Sequence, residues 1–335
     1  MADTRLTLAL RQGLLPEWAG DGPVLWFGLA EPDLPDAIPP ARLTVVQPLQ
    51  PACDVLCGAG IAAVPEARPD DRAALAIVSL PRARARAQLW IAQAAWALGP
   101  GGLLIVDGAK TDGVDTLFKA CRGRLTGADS YTKAHGRVFW GHPGADLFAD
   151  WLAPAATGAS FVTGPGVFSA DGIDPASALL AQALPGHLRG RVADLGAGWG
   201  YLSREILTRP DVTALDLVEA DHVALQAARR NIDDPRAAFH WADATAWRPS
   251  APWDAVVMNP PFHTARAGDP ALGRAFIAAA ARGLVPKGQL WLVANRHLPY
   301  EAELETRFRA VEELKGSGAF KLFRAEGPRP QRKGA

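Results

Sequence analysis

The chain has 335 residues, and its 35 lysines and arginines are balanced by 35 aspartates and glutamates, for a formal net charge of zero. That length accommodates two domains, and the balance gives no overall basic signature for a nucleic-acid partner. No apolar run approaches the ~20 residues of a membrane span and the N-terminus lacks a signal-peptide core, so a cytoplasmic protein without a membrane anchor is expected.

In chain order, Gly22-Pro23-Val24-Leu25-Trp26-Phe27-Gly28 reads as a buried strand ending in a turn. The three cysteines, Cys53, Cys57 and Cys121, lack the second pair or the histidines of a zinc site. Reduced, buried thiols and no metal are therefore expected. Ala74 to Pro81 is a strand, Arg84 to Leu98 a helix, and Gly99-Pro100-Gly101-Gly102 a turn into the strand Leu103 to Val106. Residues 82–137 hold nine lysines and arginines against four acids. Among them Arg82, Arg84 and Arg86 alternate with alanines just past a strand end. They read either as a solvated helix start or as a phosphate-contacting patch.

The second half opens on Gly164-Pro165-Gly166 and runs through Phe168 and Asp171 to Asp174. Arg191-Val192-Ala193-Asp194-Leu195-Gly196-Ala197-Gly198-Trp199-Gly200-Tyr201 then reads as strand, glycine turn and helix start. Its spacing is G-x-G-x-G. The dinucleotide fingerprint needs G-x-G-x-x-G, and no G-K-[ST] follows as in a P-loop. The glycines let backbone approach a ligand closely. A second strand, Val212 to Val218, ends at Glu219, placed to bind ribose hydroxyls. A third, Ala238 to Trp241, leads to Asp243, which can face an adenine amino group. A fourth, Ala255 to Met258, runs into Asn259-Pro260-Pro261-Phe262-His263.

That last motif suits chemistry on an exocyclic amine. The Asn259 side-chain oxygen and the Pro260 carbonyl can both accept hydrogen bonds from one NH2 group. Pro261 has no N–H and holds Pro260 extended, while Phe262 offers a face for a base. His263 is a candidate base, but the favoured reading is a residue that orients the loop or touches RNA phosphate. The four candidate sites fall at successive strand ends, where an open parallel sheet places its ligands.

These motifs resemble those of the class I S-adenosylmethionine-dependent methyltransferases. With Gly166 to Asp174 before the first strand and Val293-Ala294-Asn295-Arg296-His297-Leu298-Pro299-Tyr300 after the fifth, residues 158–326 are similar to the ribosomal RNA small subunit methyltransferase C family and its large-subunit sister. One departure is Arg296-His297, where the family pattern has a small and an aromatic residue. The resemblance implies S-adenosylmethionine as cofactor, held by Asp194, Gly196, Ala197, Gly198, Gly200, Glu219, Asp243 and Asn259. Catalysis falls to Asn259, Pro260, Pro261 and Phe262. Phe168, Asp171, His263, Arg82, Arg84 and Arg86 are the substrate candidates. The implied reaction is guanine-N2 methylation of small-subunit RNA by a monomer acting on ribosomal RNA or the small subunit. Large-subunit RNA, adenine N6 and a glutamine amide remain alternatives, as does a non-catalytic ribosome assembly factor.

The chain also repeats itself. Strand, helix, Pro/Gly turn and apolar strand recur from Ala74 to Val106 and from Ala255 to Val293, and Gly22 to Gly28 parallels Gly190 to Gly196. Strands alternating with helices imply parallel sheets. Two tandem, doubly wound Rossmann-like domains are expected, over 1–150 and 158–326, with a disordered basic tail at 327–335. The first is expected to be degenerate. It has Gly28-Leu29-Ala30-Glu31-Pro32 in place of the glycine turn, and Ser79-Leu80 in place of Asn259-Pro260. It would recognise RNA or support the fold.

Overall fold

In the computed structural model the chain divides into two compact units, Met1–Ala156 and Thr157–Ala335. The structure describes residues 4–18, 21–68, 70–144, 148–152, 161–261 and 270–330.

The first unit begins with α1 (Arg5–Arg11), β1 (Val24–Phe27), β2 (Leu43–Val46), α2 (Gln50–Gly58) and β3 (Ala62–Val64). It continues with β4 (Ala73–Ser79), α3 (Arg84–Ala97), β5 (Leu98–Ala109) and α4 (Val114–Cys121), and closes with β6 (Leu125–Lys133), β7 (Gly136–Pro143) and α5 (Ala149–Leu152). Its seven strands lie in the order β3-β2-β1-β4-β5-β7-β6. β7 alone runs opposite to the other six strands.

The second unit holds α6 (Pro175–Ala183), β8 (Gly190–Leu195), α7 (Tyr201–Leu207), β9 (Val212–Glu219), α8 (His222–Asn231) and β10 (Ala237–Trp241). Then come β11 (Trp253–Met258), α9 (Pro270–Gly283), β12 (Leu284–Asn295), α10 (Glu301–Arg307), β13 (Phe308–Leu314) and β14 (Phe320–Pro328). Its order, β10-β9-β8-β11-β12-β14-β13, repeats the first strand for strand. The antiparallel strand is again the penultimate one in the order, β14.

The strands read as continuous apolar runs because both faces of each sheet are covered. In β11, Ala255 and Val257 face a core shared with Leu180 of α6 and Leu202 and Ile206 of α7. Val256 and Met258 turn the other way, toward Phe276 and Ile277 of α9 and Leu304 of α10. The two-residue strand period divides them. In both units the first strand lies between the second and the fourth, so the connections leave its end in opposite directions and open a crevice there.

The copies differ after the first strand. In the second unit β8 is followed by α7. Between β1 and β2 the described residues form no α-helix, and Leu29 and Ile38 of the connection are packed into the core directly.

Three expectations need correction. Gly327 and Pro328 belong to β14, with Pro328 opposite Phe308, and the Arg329 side chain donates to the Phe308 carbonyl. The sheet thus reaches into the segment read as tail, whose residues 331–335 lie outside the described residues. The first unit extends past 150, because α5 runs to Leu152 and carries Trp151 against the core. Cys57 is exposed, whereas Cys53 and Cys121 are buried. It sits one position past Leu56, off the helix stripe that Cys53 and Leu56 bury.

Candidate active site in the second unit

β8 delivers Asp194 and the glycine turn to the crevice. Gly196, Gly198 and Gly200 all adopt positive φ, at 75°, 56° and 92°. This conformation explains why the turn is written in glycine. Their tasks differ. A Cβ at Gly200 would lie 2.8 Å from Ile232 Cδ1 and 3.3 Å from Ala228 Cβ, so this glycine lets α7 start against α8. A Cβ at Gly198 would meet nothing within 4 Å, so this peptide borders open space. A Cβ at Gly196 would lie 3.7 Å from Pro261 Cδ, where the glycine turn meets the Asn-Pro-Pro turn.

Two acids brace the turn from beneath. Asp194 is fully buried and accepts a 2.6 Å hydrogen bond from Ser203 Oγ. Its Oδ1 is buried without a partner among the described residues. Burial, opposed by the Ser203 hydroxyl and helped by the nearby Glu219, leaves its carboxyl raised to about 7. Glu219, at the end of β9, accepts from the Gly198 and Asp221 amides, each at 2.8 Å. Burial raises its pKa, against the pull of those amides. Asp243 follows β10 and caps the next turn through Thr245 N and Oγ1.

Asn259 ends β11. Its Nδ2 donates to Asp174 Oδ2 and to Ser177 Oγ, both at 2.9 Å. Asp174 is the N-cap of α6, with Pro175 in the first turn, and its Oδ2 also accepts from Ser177 N at 2.8 Å. Asp174, Ser177, Asn259 and the Gly196–Gly198 turn line one cleft, with Phe168 at its edge. Phe168 is 58% exposed, unusual for a phenylalanine, although the segment around it is pinned. Asn231 bonds both the N–H and the carbonyl of Val162 and also the Trp199 carbonyl. Phe161 packs on Trp199 with ring centroids 4.7 Å apart, and Val167 is buried beside it.

Of the residues expected from sequence, Asn259, Gly196, Ala197, Gly198 and Phe168 thus share a cleft. Asp194 and Glu219 support it through the turn. Pro260 is buried and Pro261 exposed. Asp171 is exposed and outside the lining, in the turn Ser169 makes with Gly172. Phe262 and His263 lie outside the described residues. Arg296 donates to the Ser317 and Phe320 carbonyls, fastening the β13–β14 connection. Asp174 and Ser177 carried no role in the sequence reading. The Asp-Pro-x-Ser pattern marks them as a helix start, but their bond to Asn259 crosses more than 80 residues.

In the first unit Arg82 and Arg84 are exposed, but Arg86 is buried and leaves the proposed patch. It lies one turn before Trp90 on the stripe that α3 turns to the core. The crevice end of this sheet is filled. Sheet register equates Trp26 with Asp194 and Gln47 with Glu219. The Trp26 indole N–H donates to Ser79 Oγ at 2.9 Å, occupying the counterpart of Asn259. Gln47 accepts from Leu49 N, as Glu219 accepts from Asp221 N, but its Nε2 donates to the Leu29 carbonyl. The peptide whose N–H meets Glu219 in the second unit therefore presents its C=O to Gln47 in the first. Trp90, seventh in α3 as Phe276 is in α9, would stand 2.5 Å from a Cβ at Gly28.

The sheet order and the paired turns define a Rossmann-like methyltransferase unit. Residues 158–324, within the second unit, match the methyltransferase small domain family. Among curated relatives, ribosomal RNA large subunit methyltransferase G of Ectopseudomonas mendocina is 38% identical over 48% of this chain and 44% of its own length. Ribosomal RNA small subunit methyltransferase C of Klebsiella pneumoniae is 32% identical over 57% of this chain and 56% of its own. The chain thus spans about half the length of these curated relatives. Among solved structures, the T. thermophilus 16S rRNA N2 G1207 methyltransferase, in complex with AdoMet and guanosine, is 26% identical. That likeness has a TM-score of 0.78 and covers 97% of this chain and 92% of the other.

Gly200→Ala should cost about 1–3 kcal/mol of stability through left-handed strain and the clash with α8. Chemical denaturation of the purified variant checks this, and unchanged stability would remove the packing role given to Gly200.

Proposed function

We propose that this chain transfers a methyl group from S-adenosylmethionine to the exocyclic N2 amine of a guanine in small-subunit ribosomal RNA. One observation carries the reading. A glycine turn and an Asn-Pro-Pro turn meet in one cleft, in a chain that aligns over nearly its whole length with a solved 16S rRNA N2 methyltransferase.

The residues present fit the cofactor. Asp194 Oδ1 is a buried acceptor without a partner among the described residues, suited to a cationic amino group. Gly198 borders open space, and Glu219 keeps lone pairs for ribose hydroxyls beyond its two backbone bonds. Asp243 stands at the next strand end for the adenine amine. When bound, S-adenosylmethionine supplies an electrophilic methyl group on its sulfonium.

Asn259 Oδ1 and the Pro260 carbonyl accept the two N–H hydrogens of guanine N2. This draws the amine lone pair out of the ring and aims it. Acceleration comes from orientation and exclusion of water, without a strong base. Asn259 Oδ1 holds its N–H until the proton passes to water. Phe168 offers the base a stacking face at the cleft edge, the role the sequence also gives Phe262. The first unit, with Trp26, Trp90 and Gln47 filling its crevice, supports RNA recognition through Arg82 and Arg84 and leaves one cofactor site per chain. Large-subunit RNA is the second reading, favoured by the 38% identity to methyltransferase G over half the chain.

The deciding experiment incubates the protein with labelled S-adenosylmethionine and small subunits, large subunits or naked RNA from cells lacking this enzyme. N2-methylguanosine in small-subunit RNA is the expected product. Label confined to large-subunit RNA selects the second reading, and no label in RNA rejects both. Asn259→Ala should lower kcat at least ~100-fold with little change in cofactor Kd, as for a contact made in the transition state. Calorimetry should give one cofactor per chain; two would overturn the account of the first unit.

Asp194 also sets a pH dependence. Its folded pKa, about 7, lies above the ordinary 3.8, so its contribution to apo stability is fully present below about 4 and lost as pH rises through 7. An ammonium partner favours the carboxylate, which reverses the preference in the complex. Cofactor affinity should therefore fall as pH drops below about 7, with a proton released on binding. Asp194→Asn should bind more weakly and without this pH dependence. Calorimetry in buffers of different ionisation enthalpy reads both effects, and a flat pH profile for the wild type would remove the role.

A further inference from the structure

The Asn259 amide is fixed in one orientation, and what fixes it lies outside its own motif. Nδ2 has two hydrogens, and two acceptors stand 2.9 Å away, Asp174 Oδ2 and Ser177 Oγ. An ionised carboxylate only accepts, so the atom facing Asp174 must be the nitrogen. Oδ1 is therefore turned away from α6. Asp174 is itself held, because the same Oδ2 caps α6 through Ser177 N, and Ser177 is 8% exposed. All three residues line the cleft.

We propose that Asp174 and Ser177 are positioning residues that lock the Asn259 amide so that only its oxygen meets the substrate, selecting substrates that present an N–H donor. This rests on the methyl-transfer reading. An unlocked asparagine turns its NH2 toward an incoming amine, donor against donor, in part of the population. The lock removes that population, and the negative charge of Asp174 polarises the amide and strengthens Oδ1 as an acceptor. It also sets specificity. A base edge that offers a carbonyl oxygen to Oδ1 leaves two acceptors facing each other in a desolvated site, the kind of mismatch that discriminates strongly. Because Asp174 begins α6, the segment bearing Phe168 and the strand bearing Asn259 are registered to each other by the same bond.

The test uses the full chain and four variants. Asp174→Ser keeps a side-chain cap for α6 but is too short to hold the amide. It should leave the unfolding midpoint and cofactor Kd near wild type while kcat falls about 10- to 100-fold, the scale of one charge-assisted hydrogen bond. Ser177→Ala leaves the Asp174 side chain in place and should show a smaller fall of the same kind. Asn259→Asp sets two carboxylates against each other and should lose more than ~100-fold. Adding Asp174→Asn removes the repulsion between the two carboxylates, although an NH2 there gives up the bond from Ser177 N, and should recover part of that loss.

Wild-type kcat in Asp174→Ser, or a double variant no better than Asn259→Asp alone, would overturn the proposal. The amide itself gives a readout independent of turnover. In wild type the 15N-labelled Asn259 NH2 should show two hydrogens protected from solvent exchange, and Asp174→Ser should lose that protection. Protection unchanged in Asp174→Ser refutes the lock whatever the enzyme methylates. Protection lost as expected, in a chain that methylates no amine, sustains the lock and rejects the reaction.

Discussion

The pairing of β8 with β11 is the constraint from which the site follows. These strands are far apart in sequence and adjacent in the sheet, Ala193 lying opposite Val256 and Asp194 opposite Val257. Extending both by two residues brings Gly196 and Asn259 to the same edge, one as a turn open to a ligand and the other as an amide. Neither turn makes a site alone. The glycine turn borders open space beside Asn259, and the Asn259 amide is held by Asp174 and Ser177 at the start of α6. The helix on one face, the two strand ends and the segment carrying Phe168 converge because a parallel sheet with a switch in strand order leaves its crevice there.

The first unit serves as an internal control. It has the same strand order, the same penultimate antiparallel strand and the same hydrogen bond from the turn glycine to the neighbouring strand, Gly28 N to the Val46 carbonyl as Gly196 N to the Val218 carbonyl. Beyond the connection after the first strand, the crevice side chains are exchanged. A carboxylate with a buried, unpartnered oxygen became an indole with its N–H satisfied by Ser79. A carboxylate that accepts from the turn became an amide that donates to it. A phenylalanine became a larger ring pressed on the glycine. Each exchange leaves the crevice of the first unit with groups that are satisfied or packed within the protein.

The same contrast explains what was legible in the sequence. The two sheets were readable because apolar runs, Pro/Gly turns and helix-length stretches repeat in order, and burial on both faces enforces that pattern. The glycine turn was readable because only glycine suits three positive φ values in five residues. Arg86 was misread because an arginine in an alternating row looks solvated, while its place on the α3 stripe depends on where Trp90 points. Gln47 drew no attention, since a glutamine after a strand has no pattern, and only sheet register shows it standing where Glu219 stands. Asp174 was legible as a helix cap, but its contact with Asn259 is tertiary and leaves no mark in local spacing.

The comparison also bears on why the second unit keeps features that disfavour its own folding. A buried Asp194 near neutrality and three left-handed glycines cost stability in the unliganded state, and the first unit shows that this fold does not need them. Tryptophan, glutamine and a connection without an α-helix build a sheet of the same order around a filled core. The buried Asp194 and the three left-handed glycines occur in the copy to which the proposed cofactor site is assigned. Unmet hydrogen-bonding capacity is therefore what distinguishes the crevices of two sheets of the same strand order, and it is the ground for placing the proposed chemistry in the second.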